Sequence, residues 1–501
     1  MSALPARRGA QAIEAPHSAV IDIGSNTVRL VVYSGPRRAP SVWLNEKVTA
    51  RLGRDLAVTG AIPPAAERLA FEGLARFAAI LRDLGIEDVV TVATAAAREA
   101  ANGPAFIDKV RGLGLHPRVL SGTEEAASAA YGVIGAFPGA RGVVADMGGG
   151  SLELIAVDNG ECHHGESLPL GTLRLPVLRE RGAAAFRQAI EQEMAKVGWA
   201  QAHGGPLYLV GGTWRAMAIY AMHAANYPLG DPQAYAFTPE EAERLAKSLS
   251  KTDPAALTAI PGISTSRAAG LPDAAAMLRV MLQELAPEAL VISAWGLREG
   301  LLFERLDKAA REQDPLLAAV THFATPRGSS ITDAALKCAW TAEAVGGTGR
   351  EAERVRLAAT LLTQAAARIE PNMRLSHSVD WALEKRWVGI DHRGRVMMAQ
   401  ALRASCGQPR LVPAWRELAG EEQLHRASAW GLANRLCRKI GAGTRTSLTT
   451  SALRRDGDRL VLRFDESRTH MMSEAVRGEL AQLAGWLGLE SAMEAGSVSE
   501  P

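Results

Sequence analysis

Two aspartates, Asp22 and Asp146, each sit near the end of an apolar run and open onto a loop of small residues: VIDIGSN over 20–26 and VADMGGGS over 144–151. A carboxylate at such a strand end can hold Mg²⁺ directly or through water, where the ion would bridge phosphate oxygens. It can equally cap its own turn by an Asx hydrogen bond. Glycine permits φ > 0 and lets backbone N–H groups converge on an anion. Gly148, Gly149 and Gly150 with the Ser151 hydroxyl, and Gly24 with Ser25 and Asn26, are therefore candidate phosphate loops. A third loop, Gly211-Gly212-Thr213, falls at a strand-to-helix junction, where a helix N-terminus also favours phosphate. Any one of these could be a plain tight turn; three at strand ends point together to backbone closing on phosphate. Glu153 shares the strand face of Ser151 and could face the same cleft.

The stretch SGTEEAASAAYG isolates one further carboxylate. Ser121 and Glu124 fit a capping box, with Ser121 as N-cap and Glu124 reaching back. Glu125 lies about 100° further round the helix and has no such duty. In the first turn the helix dipole favours its ionised form, as a general base orienting water requires; a solvated surface glutamate is the competing reading. Guanidinium groups bind phosphate in bidentate fashion. Arg29 lies in the strand after the first loop, Arg51 in TARLG, Arg98 where a strand becomes a helix, and Arg267 and Arg298 in the second lobe. Surface ion pairing is the commoner fate of any single arginine. The pairs His163-His164 and Asp391-His392 have no companions at metal-ligand spacing.

These groups must be positioned by alternating strands and helices. The pattern switches between periods of 2 and 3.6 through the first third of the chain and repeats the scheme in the second, as α/β layers do. From about residue 312 helical patterns dominate, until Asp456-Gly457 marks a hairpin turn followed by a terminal amphipathic helix. The expected organisation is a flexible tail over 1–17, one α/β lobe over 18–138, a second over 139–311, and a mostly α-helical region over 312–501 ending in a small β-hairpin plus helix.

With 501 residues, 47% hydrophobic and 22% charged, the composition is that of a folded globular chain. No apolar run reaches the ~18 residues of a membrane span. The four cysteines are far apart and form no CxxC pair, which fits a reducing cytoplasm rather than a disulfide framework. The net charge is +2, but residues 401–463 hold twelve Lys/Arg against five Asp/Glu, a local +7. That segment is either a solvated helix surface or a track for a polyanion.

The ordered phrases VIDIGSNTVRLVV, KVTARLG, TVATAAAREA, SGTEEA, VVADMGGGSLELI, LVGGTWRAMA and GLREGLLFE cover residues 18–305. Together they resemble the Ppx/GppA family of exopolyphosphatases and guanosine pentaphosphate phosphohydrolases. The resemblance implies two actin-like, sugar-kinase-like (ribonuclease H-like) lobes with the active site between them. It also implies release of terminal phosphate from a phosphoanhydride chain with Mg²⁺, with a monovalent cation such as K⁺ as a companion. By the resemblance Glu125 matches the catalytic carboxylate and Arg98 a phosphate-contacting arginine. Asp146, Gly148 and Glu153 match the second-lobe loop that holds phosphate and metal, and Asp22, Ser25 and Asn26 the first. Gly149, Gly150, Ser151, Gly212, Thr213, Arg29, Arg51 and Arg267 complete the expected phosphate-binding set.

The expected substrate is inorganic polyphosphate, with guanosine pentaphosphate (pppGpp), and ppGpp beside it, as the alternative. A sugar kinase or chaperone ATPase would share the loops but needs an adenosine pocket; a non-catalytic polyphosphate or alarmone sensor would bind without turnover. The C-terminal region is expected to resemble the HD-phosphohydrolase fold without the His-Asp pair, and to serve chain holding or homodimer formation. No membrane or specific nucleic-acid partner is expected.

Overall fold

The computed structural model describes residues 15–498; the expected N-terminal tail lies outside the described residues as far as position 14. The apolar run Ser18–Ile23 (β1) turns back into Val28–Ser34 (β2), followed by Ser41–Val48 (β3), Val89–Ala93 (β4) and Pro117–Val119 (β5). They form a sheet of order β3-β2-β1-β4-β5. β1, β2 and β3 pair antiparallel; β4 and β5 join in parallel. The second sheet repeats this plan with Gly142–Met147 (β6), Leu152–Asp158 (β7), Glu161–Leu168 (β8), Leu207–Val210 (β9), Ala236–Phe237 (β10) and Leu290–Ser293 (β11). Its order is β10-β11-β9-β6-β7-β8, so β8-β7-β6-β9-β11 matches the first sheet strand for strand, and the short antiparallel β10 is an addition. Two α/β lobes of one topology are thus present. The third strands, β3 and β8, are absent from the sequence reading. They are edge strands, largely solvent-facing, and carry little apolar alternation.

Each sheet is covered by helices on both faces, because parallel strands bury both sides. Phe77, Leu74 and Leu81 of the helix Pro64–Leu84 pack on one face of the first sheet. The opposite face meets Leu301 and Leu302 of the helix Leu297–Glu304. Conversely, Ala126, Ala130 and Val133 of the helix Gly122–Ala136 pack against Val144, Ile155 and Val157 of the second sheet. The two helices that close the lobes in sequence therefore serve each other's sheets. They cross in backbone contact. A methyl group at Gly300 would stand 1.6 Å from the Ser128 carbonyl oxygen, and one at Gly132 would stand 2.3 Å from that of Gly296. From the same crossing Glu299 accepts the buried Tyr33 hydroxyl of β2 at 2.8 Å and the Gly296 amide at 3.2 Å.

All of the above belongs to one compact unit, made of the chain up to Tyr227 and Pro232–Pro315. The other unit holds Pro228–Asp231 and the chain from Leu316 onward. It is mostly helical, as expected, with the hairpin Ser451–Asp456 (β12) and Arg459–Phe464 (β13). After the helix Glu474–Trp486 the chain adds a strand the sequence reading lacks, Glu490–Ala495 (β14), parallel to β13. Within this unit Asp231 accepts from Arg386 at 2.7 Å and from the fully buried Arg395 at 3.1 Å. Asp391 caps the helix His392–Ser405 by accepting the Gly394 amide, so that Asp-His dipeptide has a structural task. Of the twelve cations in 401–463, six are ion-paired: Arg416, Arg426, Arg435, Arg454, Arg459 and Arg463. Glu343, Glu479 and Glu494, all outside the segment, neutralise four of them. Among the described residues no helix is long and apolar enough to cross a membrane.

The helix crossing sets the first prediction. Gly300→Ala forces a methyl into a carbonyl that cannot move without shifting a helix, so it should cost more than the ~1–3 kcal/mol of ordinary overpacking. Gly478→Ala, on an exposed helix position with nothing within 4 Å, should be neutral or stabilising by up to about 1 kcal/mol. Thermal unfolding of the two variants checks the contrast; equal midpoints would contradict it.

Candidate active site

The two hairpins that open the sheets place the chemistry. β1–β2 and β6–β7 are joined by four-residue loops closed by the same hydrogen bond, Gly24 N–H to Thr27 O and Gly148 N–H to Ser151 O, both 3.0 Å. Across β1–β2, Asp22 faces Arg29; at the equivalent position of β6–β7, Asp146 faces Glu153. One hairpin thus pairs opposite charges and the other sets two carboxylates side by side, a costly arrangement in a sheet.

The loop glycines do something other than supply φ > 0. Of the glycines in the three loops, Gly211 alone has a left-handed φ, 116°. Gly149 and Gly150 are required because the two hairpin tips touch. A Cβ at Gly149 would lie 3.0 Å from the Asn26 amide nitrogen, and one at Gly150 2.7 Å from Ser25 Oγ. The two tips meet, and the open space lies beside them. The amides of Ser25, Asn26, Gly149 and Gly150 donate no hydrogen bond among the described residues, which leaves them available to an anion.

That space is a cavity of about 430 Å³ lined from both lobes. It gathers nearly every residue singled out in the sequence. Asp22, Gly24, Ser25, Asn26, Arg29, Arg51, Glu125, Asp146, Gly148, Gly149, Gly150, Ser151, Glu153, Gly212, Thr213 and Arg267 all line it. Arg267 lies over the third loop: a Cβ at Gly212 would be 3.0 Å from its guanidinium. Arg51 holds a left-handed backbone, φ 58°, rare for a non-glycine residue, and its amide donates to Asn26 O at 2.9 Å. Lys47, Arg54 and Arg215 also line the cavity and were not legible as site residues, although Lys47 and Arg215 stand inside the quoted phrases KVTARLG and LVGGTWRAMA. Arg298 joins them, its side chain 4.0 Å from Asp22.

Glu125 is buried, and the expected capping box is formed: Ser121 and Glu124 exchange both hydrogen bonds. Its carboxylate accepts from Arg98 at 3.0 Å, while the same guanidinium nitrogen donates to Leu120 O at 2.8 Å. Arg98 itself is outside the main cavity and faces a second one behind the glutamate. The sequence reading gives Arg98 as a phosphate-contacting arginine; the structure pairs it with Glu125.

Charge crowds this cleft in both signs. Burial pushes Glu125 up to about 7, opposed by Arg98 and reinforced by Asp146 and Asp22. Asp146 is pushed up to about 6 by burial and then by Asp22. Glu153 is raised by burial and by Glu125 and Asp146, though Ser167 donates to it at 2.9 Å. Burial raises Asp22 as well, against the pull of Arg298 and Arg29. On the cationic side, Arg29 is pushed down to about 10 by burial and then by Arg298, and Arg267 is lowered by the same two causes. Seven cationic side chains face four carboxylates in the cavity lining, a surplus suited to a polyanion.

Among the described residues no three His, Cys, Asp or Glu side chains form a metal-holding group. The expected set Asp22, Asp146 and Glu153 is therefore not a closed cage. Mg²⁺ characteristically takes one or two carboxylates and completes its shell with water and substrate phosphates. The half-buried Asp22 and Asp146 and the buried Glu153, which repel one another in a cleft lined by cations, fit that mode.

Comparison with known proteins agrees with this geometry. The model of the Ppx/GppA phosphatase family matches residues 31–309, more than half of the chain. Exopolyphosphatase 1 of Mycobacterium leprae is 30% identical over 305 residues, 58% of this chain and 90% of that protein. The guanosine-5'-triphosphate,3'-diphosphate pyrophosphatase of Vibrio cholerae is 29% identical over 311 residues, 60% of this chain and 62% of its own length. Among solved structures, an exopolyphosphatase from Cytophaga hutchinsonii superposes with a TM-score of 0.53 at 24% identity, covering 57% of this chain and 96% of that one. The Aquifex aeolicus family member gives 0.50 at 24% identity with the same coverage. These likenesses show the fold of the two lobes, with phosphoanhydride hydrolases as its relatives. The family model spans the second hairpin and the motifs from KVTARLG onward, and the first hairpin immediately precedes and enters it; the chain belongs to the Ppx/GppA phosphatase family.

Proposed function

We propose that the protein is a cytoplasmic exopolyphosphatase that removes terminal phosphate from inorganic polyphosphate in the cleft between its lobes. The observation that carries this reading is Glu125, a buried carboxylate on the cleft wall held by Arg98 at 3.0 Å. The surrounding surplus of cations favours a substrate with many negative charges. None of the residues lining the cleft is aromatic, so a guanine base would find no ring to stack on; this favours polyphosphate over pppGpp. The four free cysteines suit a reducing compartment.

In the proposed reaction the chain end lies along Arg29, Arg51, Arg267 and Arg298, with Ser25, Asn26 and the Gly148–Ser151 loop donating to its terminal oxygens. Glu125 accepts a proton from water as the water oxygen bonds to the terminal phosphorus, and the bridging P–O bond breaks in line with it. Arg98 fixes the carboxylate and keeps it more acidic than burial alone would allow. Asp146 and Glu153, or Asp146 and Asp22, would hold Mg²⁺, which on binding supplies charge neutralisation to the phosphate oxygens. Phosphoryl transfer depends on this kind of positioning and charge compensation. A monovalent cation such as K⁺ would occupy the same phosphate-rich cleft, and the helical unit would hold the chain or form a homodimer.

Three outcomes are expected. Phosphate release from long-chain polyphosphate with Mg²⁺ should fall by about 10²–10⁴ in Glu125→Gln if it is the base, and should cease on chelation of the metal. Near-full turnover by the variant would remove Glu125 from the mechanism, and release from pppGpp alone would transfer the site to the nucleotide.

A base must be ionised, so with Glu125 near 7 kcat/KM should decline as pH falls below about 7. Since Arg98 lowers that value, Arg98→Gln should move the acidic limb upward by about one unit or more. A limb left in place would contradict the pairing.

The carboxylates also link folding to pH. Asp146 rises from 3.8 to about 6 on folding. The folded state thus holds its proton more tightly, and the stabilisation is complete below pH ~4 and lost as pH rises through ~6. Asp146→Asn should therefore gain about 2–3 kcal/mol over the metal-free native protein between pH 4 and pH 8. Denaturant unfolding at the two pH values reads that difference.

A further inference from the structure

A second cavity, of about 480 Å³, lies behind the wall that carries Glu125. The partition between the two spaces consists of paired side chains. Glu125 lines the main cleft and its partner Arg98 lines the second cavity. Glu153 lines the main cleft and its partner Ser167 lines the second. Ser151 lines both. Two guanidiniums thus reach the second cavity, those of Arg98 and Arg174, with side chains 23% and 24% exposed. Two carboxylates share this lining, Glu99 and Glu166; Glu99 is in contact with Arg174 and 4.0 Å from Arg98.

We propose that this second cavity binds orthophosphate, the product of the reaction, between Arg98 and Arg174. The inference rests on the phosphatase reading, since that reaction places phosphate beside Arg98. In the resting protein Arg98 is committed to the Glu125 carboxylate. Once Glu125 has taken the proton of the attacking water it is neutral, and the guanidinium loses its ionic partner. A tetrahedral dianion then offers oxygens to Arg98 and Arg174 together, in competition with the Glu99 carboxylate that pairs with Arg174 and against the nearby charge of Glu166. The bonds broken and formed are hydrogen bonds only; no further chemistry is involved.

The test is titration calorimetry of inorganic phosphate into the full chain, with no substrate present. Arg174→Gln should weaken phosphate binding by about tenfold or more, the consequence of one lost charge-assisted hydrogen bond. Glu99→Gln should tighten it, because the competing carboxylate is gone; misfolding cannot produce that opposite change. Arg267→Gln, altered in the main cleft, should leave this binding in place. Phosphate affinity unmoved by both Arg174→Gln and Glu99→Gln, or abolished by Arg267→Gln alone, would overturn the second site. Polyphosphate turnover by the same proteins is measured separately: its absence in the unmodified chain would sink the phosphatase reading, whatever the phosphate titration shows.

Discussion

Four carboxylates, Asp22, Glu125, Asp146 and Glu153, line one cleft, and the repulsion among them is the constraint on which the rest of the site turns. Burial and mutual proximity push Glu125 to about 7 and Asp146 to about 6. Such a cluster persists only where the surrounding fold over-determines it. Arginines offset part of the cost: Arg98 against Glu125, Arg298 and Arg29 against Asp22. Yet these arginines crowd one another too, as the lowering of Arg29 and Arg267 beside Arg298 shows. Both signs of charge are therefore left in excess locally. On the proposed function, a phosphate chain with a divalent cation would relieve both at once, the cation among the carboxylates and the phosphate oxygens among the guanidiniums.

The backbone makes that crowding possible. The helix carrying Glu125 and the helix carrying Arg298 and Glu299 approach so closely that methyl groups at Gly132 and Gly300 would overlap the opposite backbone. Each packs on the sheet of the other lobe, so Glu125 and Arg298 are fixed to both sheets. The touching hairpin tips at Ser25–Asn26 and Gly149–Gly150 supply the second close approach. Small residues at these two places hold charged groups in a geometry that bulkier ones would prop open.

Much of this is legible in the sequence. The strand-aspartate-loop-strand phrase occurs twice, and its repetition foretells two lobes of one topology. The capping box at Ser121 and Glu124 is legible and forms, because that signal is local; it leaves Glu125 free to face the cleft. What the sequence hides is non-local. The reason for Gly149 and Gly150 is contact with a loop more than a hundred residues away, not a backbone angle of their own. Arg98 reads as a phosphate ligand, but its place behind Glu125 depends on how β5 leads into the next helix. The basic stretch 401–463 reads as an open track, whereas Glu343, Glu479 and Glu494 arrive from elsewhere to pair with four of its arginines. Edge strands β3, β8 and β14 escape notice because a strand with one free side and polar faces has almost no periodic signature.

The most direct measurement is the titration of the Glu125 carboxyl itself, followed by ¹³C NMR on glutamate-labelled protein and assigned by its loss in Glu125→Gln. A midpoint near 7, as the structure gives, would establish a buried base poised at neutral pH within a crowded carboxylate cluster. A midpoint near 4.5, the ordinary value for glutamate, would mean that the cleft is wet and its carboxylates independent, and the account of the site built on their crowding would be wrong.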